Sequence, residues 1–181
     1  KYIWFSHEHP DHFNPKNLNI YSDKNNFIFQ KTKDRRVINY LSKISKNVIE
    51  VSLNDTINLS KNFSFRVIPF HYLDSFSISK VGEKTILNLN DCDIKNKSQL
   101  DFIKKISGNI DILLVQFSYA IGKSNFDDRR LRENLANSIL NKLSENIKLL
   151  DPKVVIPFAS FCYFSSYDNF YLNDSINKIE P

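Results

Sequence analysis

Three of the chain's four histidines, together with an aspartate, crowd into Tyr2-Ile3-Trp4-Phe5-Ser6-His7-Glu8-His9-Pro10-Asp11-His12-Phe13. So many imidazole and carboxylate groups in one short stretch are costly to desolvate unless something binds them. Neutral imidazole and carboxylate are the side chains that hold zinc, manganese and non-haem iron. On an extended loop, His7 and His9 point the same way and can grip one ion. Asp11 and His12, opening the next turn, face a second position beside it. Two ions side by side can clamp an oxygen species between them. The plain alternative is a surface cluster of histidines.

The remaining histidine, His71, ends the apolar run Ile68-Pro69-Phe70, and Asp91 closes the run Thr85-Ile86-Leu87-Asn88-Leu89. Taken singly, His71 reads as a hydrogen-bonded core histidine and Asp91 as a turn aspartate. If folding brings both strand ends to one sheet edge, His71 becomes a further ligand and Asp91 a carboxylate bridging two ions.

The elements that must position these groups follow from periodicity. Residues 2–6 read as a buried strand, with the histidine loop at its C-terminal end, where α/β sheets place their sites. Pro15 opens a short helix, and Phe27-Ile28-Phe29 is a strand. Val37, Ile38, Leu41 and Ile44 recur at helical spacing behind Asp34 as N-cap. Val48 to Val51 returns to strand, and alternation from Ile57 to Asp93 predicts an antiparallel meander. Ser98 to Ile106 is a helix ended by Gly108, and Ile110 to Val115 a buried strand. Leu131, Leu135, Ile139, Leu143 and Ile147 mark a long helix, capped by Asp127 or Asp128 and stopped before Pro152. Val154-Val155-Ile156 is a last strand, followed by an aromatic stretch. The class is α/β.

The 181 residues, 41% of them hydrophobic, suffice for one domain spanning residues 1–181. The excess of 25 Lys+Arg over 20 Asp+Glu, a formal +5, is spread along the chain. It suits an anionic small-molecule substrate better than nucleic acid. Two cysteines, Cys92 and Cys162, make no disulfide framework and read as buried small residues in a cytoplasmic protein. No run is long enough for a membrane span. With Lys1 first and no methionine anywhere, the chain reads as a piece of a longer protein, truncated at its N-terminus and also at its C-terminus. Lys123, Arg129, Arg130 and Arg132 either meet a phosphate or form a solvated helix start. Tyr72, Tyr119, Tyr163 and Phe164 either line a pocket or belong to the core.

The order H-x-H-x-D-H, then a lone His, then an Asp closing a strand resembles the metallo-β-lactamase superfamily. That resemblance implies an αββα sandwich lacking its N-terminal strands. It implies His7, His9 and His71 on one metal, Asp11 and His12 on the other, and Asp91 between them, with Asp11 and Asp91 the catalytic carboxylates. Within it, three segments resemble the non-Rieske part of the CMP-N-acetylneuraminate hydroxylase family: Ile3–Phe13, Lys84–Cys92 and Pro157-Phe158-Ala159-Ser160-Phe161. Members of that family hydroxylate the N-acetyl group of nucleotide-activated sugars. Many superfamily hydrolases add a last histidine after the final strand, where this chain has Ala159 and no histidine downstream. The second metal position is then short of a ligand, or filled by Asp74 or Asp168. A Rieske cluster needs two Cys and two His in paired motifs, which this segment does not supply.

The expectation is therefore one or two divalent ions, iron or zinc, with manganese a third candidate. The favoured activity is hydroxylation of a nucleotide-sugar N-acyl group, fed by a separate Rieske-type electron donor. The alternatives are a hydrolase that attacks an amide, ester or phosphodiester with water activated by zinc or manganese, and a degenerate domain that keeps a metal for structure.

Overall fold

A computed structural model describes residues 1–18, 20–21, 24–71, 73–119 and 124–179. The chain divides into two compact units, Lys1–Glu83 and Lys84–Pro181. No helix among the described residues is long and apolar enough to cross a membrane.

The first unit holds β1 (Tyr2–Trp4), α1 (Pro15–Leu18), β2 (Asn26–Gln30), α2 (Arg36–Ile44), β3 (Val48–Val51), β4 (Ile57–Ser60), β5 (Phe63–Phe70) and β6 (Asp74–Val81). β1, β2 and β3 form a parallel sheet with β2 in the middle. β2 is buried on both faces, as its unbroken apolar run Phe27-Ile28-Phe29 requires. Phe27 and Phe29 pack with Phe5, Phe13, Val37, Ile38 and Leu41, which is the α2 side. Ile28 points the other way and packs with Val51, Phe65 and Val67, where Trp4 meets Phe65 edge-on at 5.6 Å. The unit is thus layered helix, sheet, sheet, the second layer being β4, β5 and β6 in antiparallel order.

α2 does not begin as the sequence suggests. Its N-cap is Arg35, in a left-handed conformation, and no side chain caps it. The Asp34 carboxylate, one residue further out, still accepts from the Arg36 amide at 3.3 Å. That bond holds its pKa below the usual carboxylate range.

The second unit holds β7 (Lys84–Asn90), α3 (Lys97–Ser107), β8 (Ile112–Gln116), α4 (Arg129–Leu150), β9 (Val154–Phe158) and a 3-10 helix (Tyr167–Asp174). β7, β8 and β9 run parallel, with β8 central. α3 is capped by Asn96, whose side chain accepts from the Gln99 amide, and stops at Gly108 with φ 69°.

α4 differs from expectation in its buried seam. Arg132, Ala136, Asn146 and Leu150 are buried, at the period of 3.6 that a straight helix imposes. The leucines taken as the seam recur every four residues, so they drift around the helix. Leu131 and Ile147 end up exposed, while Leu135 and Ile139 pack against the Tyr119–Phe164–Leu172 cluster. Asp128 precedes α4 without capping it through its side chain.

Arg132, a candidate phosphate contact in the sequence, is instead 2% exposed. It donates to Asp174, to the Asn125 carbonyl at 2.6 Å and to the Phe126 carbonyl at 3.1 Å. Arg129 pairs with Glu133 on the helix surface. Lys123 and Tyr72 lie outside the described residues. Tyr119 and Phe164 belong to the core, whereas Tyr163 is exposed. Neither cysteine is fully buried: Cys92 is half-buried and Cys162 exposed, the latter because the chain leaving β9 runs along the surface.

Candidate metal centre

The histidine loop leaves β1 while still tied to the sheet, through the Phe5 amide and the Ile28 carbonyl at 3.1 Å. His9-Pro10-Asp11-His12 then closes a turn in which the His12 amide donates to the His9 carbonyl at 2.9 Å. Pro10 supplies the fixed φ that the second position of such a turn favours. The turn folds three imidazoles onto one another. The His7 ring lies 4.5 Å from that of His9 and 4.1 Å from that of His12, centroid to centroid. Asp11 is exposed, with a carboxylate oxygen 3.6 Å from His12 Nε2, so these two face one position together.

His7 is 1% exposed, and its orientation is set by neighbours that the sequence did not flag. Ser6 Oγ lies 3.0 Å from His7 Nδ1 and 3.1 Å from His12 Nδ1. One hydroxyl hydrogen-bonded to both Nδ1 atoms fixes the orientation of the two rings. Ser6 is itself pinned through its carbonyl, which accepts from Ser75 Oγ at 2.5 Å and Gln30 Nε2 at 3.4 Å. Gln30 also donates to the Leu73 carbonyl. The loop is thereby tied both to β2 and to the β5–β6 hairpin.

The β5–β6 hairpin carries the other donors. Its last paired residues are Phe70 and Asp74. Asp74 is 26% exposed, and its carboxylate approaches His7 Nδ1 at 4.0 Å. His7, His9 and Asp74 each offer one donor atom, all within 4.8 Å of one another. With metal–ligand bonds of about 2.1 Å, ligands of one ion have donors about 3–4 Å apart, so a small inward adjustment completes the set. The residues present therefore fit a divalent cation.

His71 is exposed, in a left-handed conformation (φ 53°), with its ring against Phe70 at 4.3 Å. It is not in the His7–His9–Asp74 group. Asp91 follows β7 in the second unit, half-buried, after a register shift between Asn88 and Asn90 that breaks the pairing with β8. Asp168 is exposed on the 3-10 helix. His71, Asn90 (φ 52°) and Ala159 (φ 48°) share an unusual feature: each is a non-glycine residue with positive φ at a strand's C-terminal end. Such conformations cluster at functional sites, and nothing in the residue types announces them.

No family model and no curated protein sequence matches the chain. Solved structures do. CmlA, a diiron β-hydroxylase from Streptomyces venezuelae, superposes with a TM-score of 0.66 at 13% identity, over 95% of this chain and 37% of CmlA. The metallo-β-lactamase fold protein YhfI from Bacillus subtilis gives 0.53 at 12% identity, over 98% of this chain and 72% of YhfI. The short form of human tRNase Z gives 0.53 at 14% identity, over 87% of this chain and 72% of that protein. The chain has the α/β metallo-β-lactamase fold. It spans little more than a third of the length of CmlA.

Proposed function

We propose that this chain is the metal-binding part of an iron-dependent hydroxylase acting on a nucleotide-sugar N-acyl group. The observation that carries the reading is the donor set His7, His9 and Asp74. Two histidines and one carboxylate suit non-haem Fe(II), leaving positions open for dioxygen and substrate. The substrate class follows from the sequence resemblance to the CMP-N-acetylneuraminate hydroxylase family. CmlA, a diiron β-hydroxylase, supports hydroxylation as a chemistry that this fold accommodates.

An iron ion held here supplies dioxygen activation; the chain's own residues supply placement. Ser6 fixes the rings of His7 and His12. Asp11 and His12 would hold a second ion, as the resemblance implies. Asp11 is solvent-exposed beside His12. The overall reaction takes one dioxygen, two electrons and two protons, placing one oxygen in the C–H bond and releasing the other as water. The electrons come from a separate Rieske-type protein.

A second reading, a hydrolase with zinc, draws support from the paired Asp11 and His12 and from fold neighbours such as the metallo hydrolase Igni18 from Ignicoccus hospitalis, with a TM-score of 0.55. The test is an oxygen-consumption and product assay. Iron-loaded protein is given a reduced Rieske-type donor and a nucleotide sugar bearing an N-acetyl group. Hydroxylated product matched to oxygen consumed supports the proposal; release of acetate or nucleotide without oxygen consumption supports the hydrolase.

A further inference from the structure

We propose that the cleft lined by Glu8, Phe13, Lys16, Arg36, Val37 and Tyr40 is the substrate-recognition site, and that it selects an aromatic or apolar ring carrying an anionic group. This deepens the hydroxylase reading and rests on it for the word substrate. The cleft encloses about 590 Å³, within the range of small-molecule pockets. It lies against the metal loop, because Glu8 and Pro10, the residues on either side of His9, form part of its wall.

The lining divides into an apolar floor and a charged rim. Phe13 and Val37 are buried, and Phe13 meets the Tyr40 ring edge-on at 5.9 Å. Tyr40 is held in place by donating its hydroxyl to the Pro15 carbonyl at 3.1 Å. This gives a rigid surface for a flat or apolar group. On the rim, Arg36 Nη2 donates to Glu8 Oε1 at 2.5 Å, while its Nε donates to Asp34 Oδ2 at 2.6 Å. The Glu8 contact marks a spot where a carboxylate-like group fits the guanidinium from within the cleft. Arg36 is 64% exposed, and ion pairs of that kind are weakly held, so a ligand anion can take the place of Glu8. Lys16 supplies a second cation in the lining. Glu8 thus acts as an internal stand-in for the ligand's anionic group.

Calorimetric titration of the intact, chelator-treated protein tests this apart from any metal. Phenyl phosphate and phenylacetate serve as ring-bearing anions, benzyl alcohol as the ring without charge, and inorganic phosphate as the charge without a ring. Saturable binding of at least one aryl anion is expected, tighter than benzyl alcohol or phosphate, and the tighter of the two identifies a phosphate or a carboxylate. Lys16→Ala weakens it about tenfold, as loss of one charge-assisted contact implies. Glu8→Gln tightens it several-fold, because the competitor for Arg36 is gone; a merely structural Glu8 predicts no gain. Absence of saturable aryl-anion binding overturns the proposal, as does an affinity unchanged by both substitutions. Iron retained without aryl-anion binding removes the cleft assignment alone, whereas binding without iron removes only the hydroxylase reading.

Discussion

At the scale of single residues, the centre depends on who holds the histidines as much as on the histidines themselves. His7 is buried and shares a serine hydroxyl with His12. Ser6→Ala leaves both Nδ1 groups without that partner, and loss of such outer support costs about 10–100-fold in metal affinity. A metal-competition titration of Ser6→Ala against wild type should show a loss at the low end of that range, since the histidines remain. The hairpin offers a sharper contrast. Asp74→Ala is expected to reduce bound metal severely and His71→Ala less, because Asp74 is in the group with His7 and His9 and His71 is exposed. Equal losses in metal analysis of the two variants would count against Asp74 as the third ligand. The histidine motif was readable because its information is local: donors one or two residues apart must share a region of space. Asp74 was named only as a spare carboxylate, since its proximity to His7 depends on the register of β5 on β6. Ser6, Gln30 and Ser75 went unrecognised because serine and glutamine carry no sequence signal until their partners are known.

At the scale of elements, charged groups tie ends of segments together in the second unit. Arg132 on α4 joins Asp174, at the end of the 3-10 helix, to the carbonyls of Asn125 and Phe126, and stacks 5.1 Å above the Tyr171 ring. Arg132 is buried and Asp174 is not, so removing the carboxylate takes away a charge-assisted partner from a guanidinium that keeps its two carbonyl acceptors, at about 1.5–3 kcal/mol. Asp174→Ala should therefore lower the urea midpoint markedly, while Glu133→Ala, the exposed partner of Arg129, should change it little. Asp111 plays a similar part at the β7–β8–β9 edge. Its carboxylate accepts from Lys153 at 2.8 Å, the Thr85 amide at 2.9 Å and Lys84 at 3.2 Å. The Lys153 bond first, and then the Thr85 amide, hold its pKa far below the usual carboxylate range. Arg132 lowers that of Asp174 likewise. A depressed folded-state pKa contributes stability above the unfolded value of about 3.9, lost as pH falls through the folded pKa. Thermal unfolding midpoints of wild type should thus fall steeply below about pH 4, where protonation of the unfolded chain begins. Asp111→Asn should unfold at lower temperature at pH 7 and show a shallower acid dependence. Strand positions were readable from apolar runs, and Val48–Val51 agrees to the residue. The α4 seam was not, since two of its buried residues are Arg132 and Asn146, which hydropathy places outside.

At the scale of the whole molecule, the order of motifs along the chain carried the fold. Superposition on CmlA, YhfI and tRNase Z at 12–14% identity establishes the metallo-β-lactamase fold, while the reaction is a matter for chemistry. The two-histidine, one-carboxylate group in the first unit suits a divalent cation, iron or zinc alike. The most direct measurement is the metal content of protein purified without oxygen, wild type beside Asp74→Ala and His9→Ala. Iron bound at roughly one equivalent or more per wild-type chain, and lost from both variants, is the expected result for a His7–His9–Asp74 centre. Zinc in place of iron, or metal retained in full by Asp74→Ala, contradicts it.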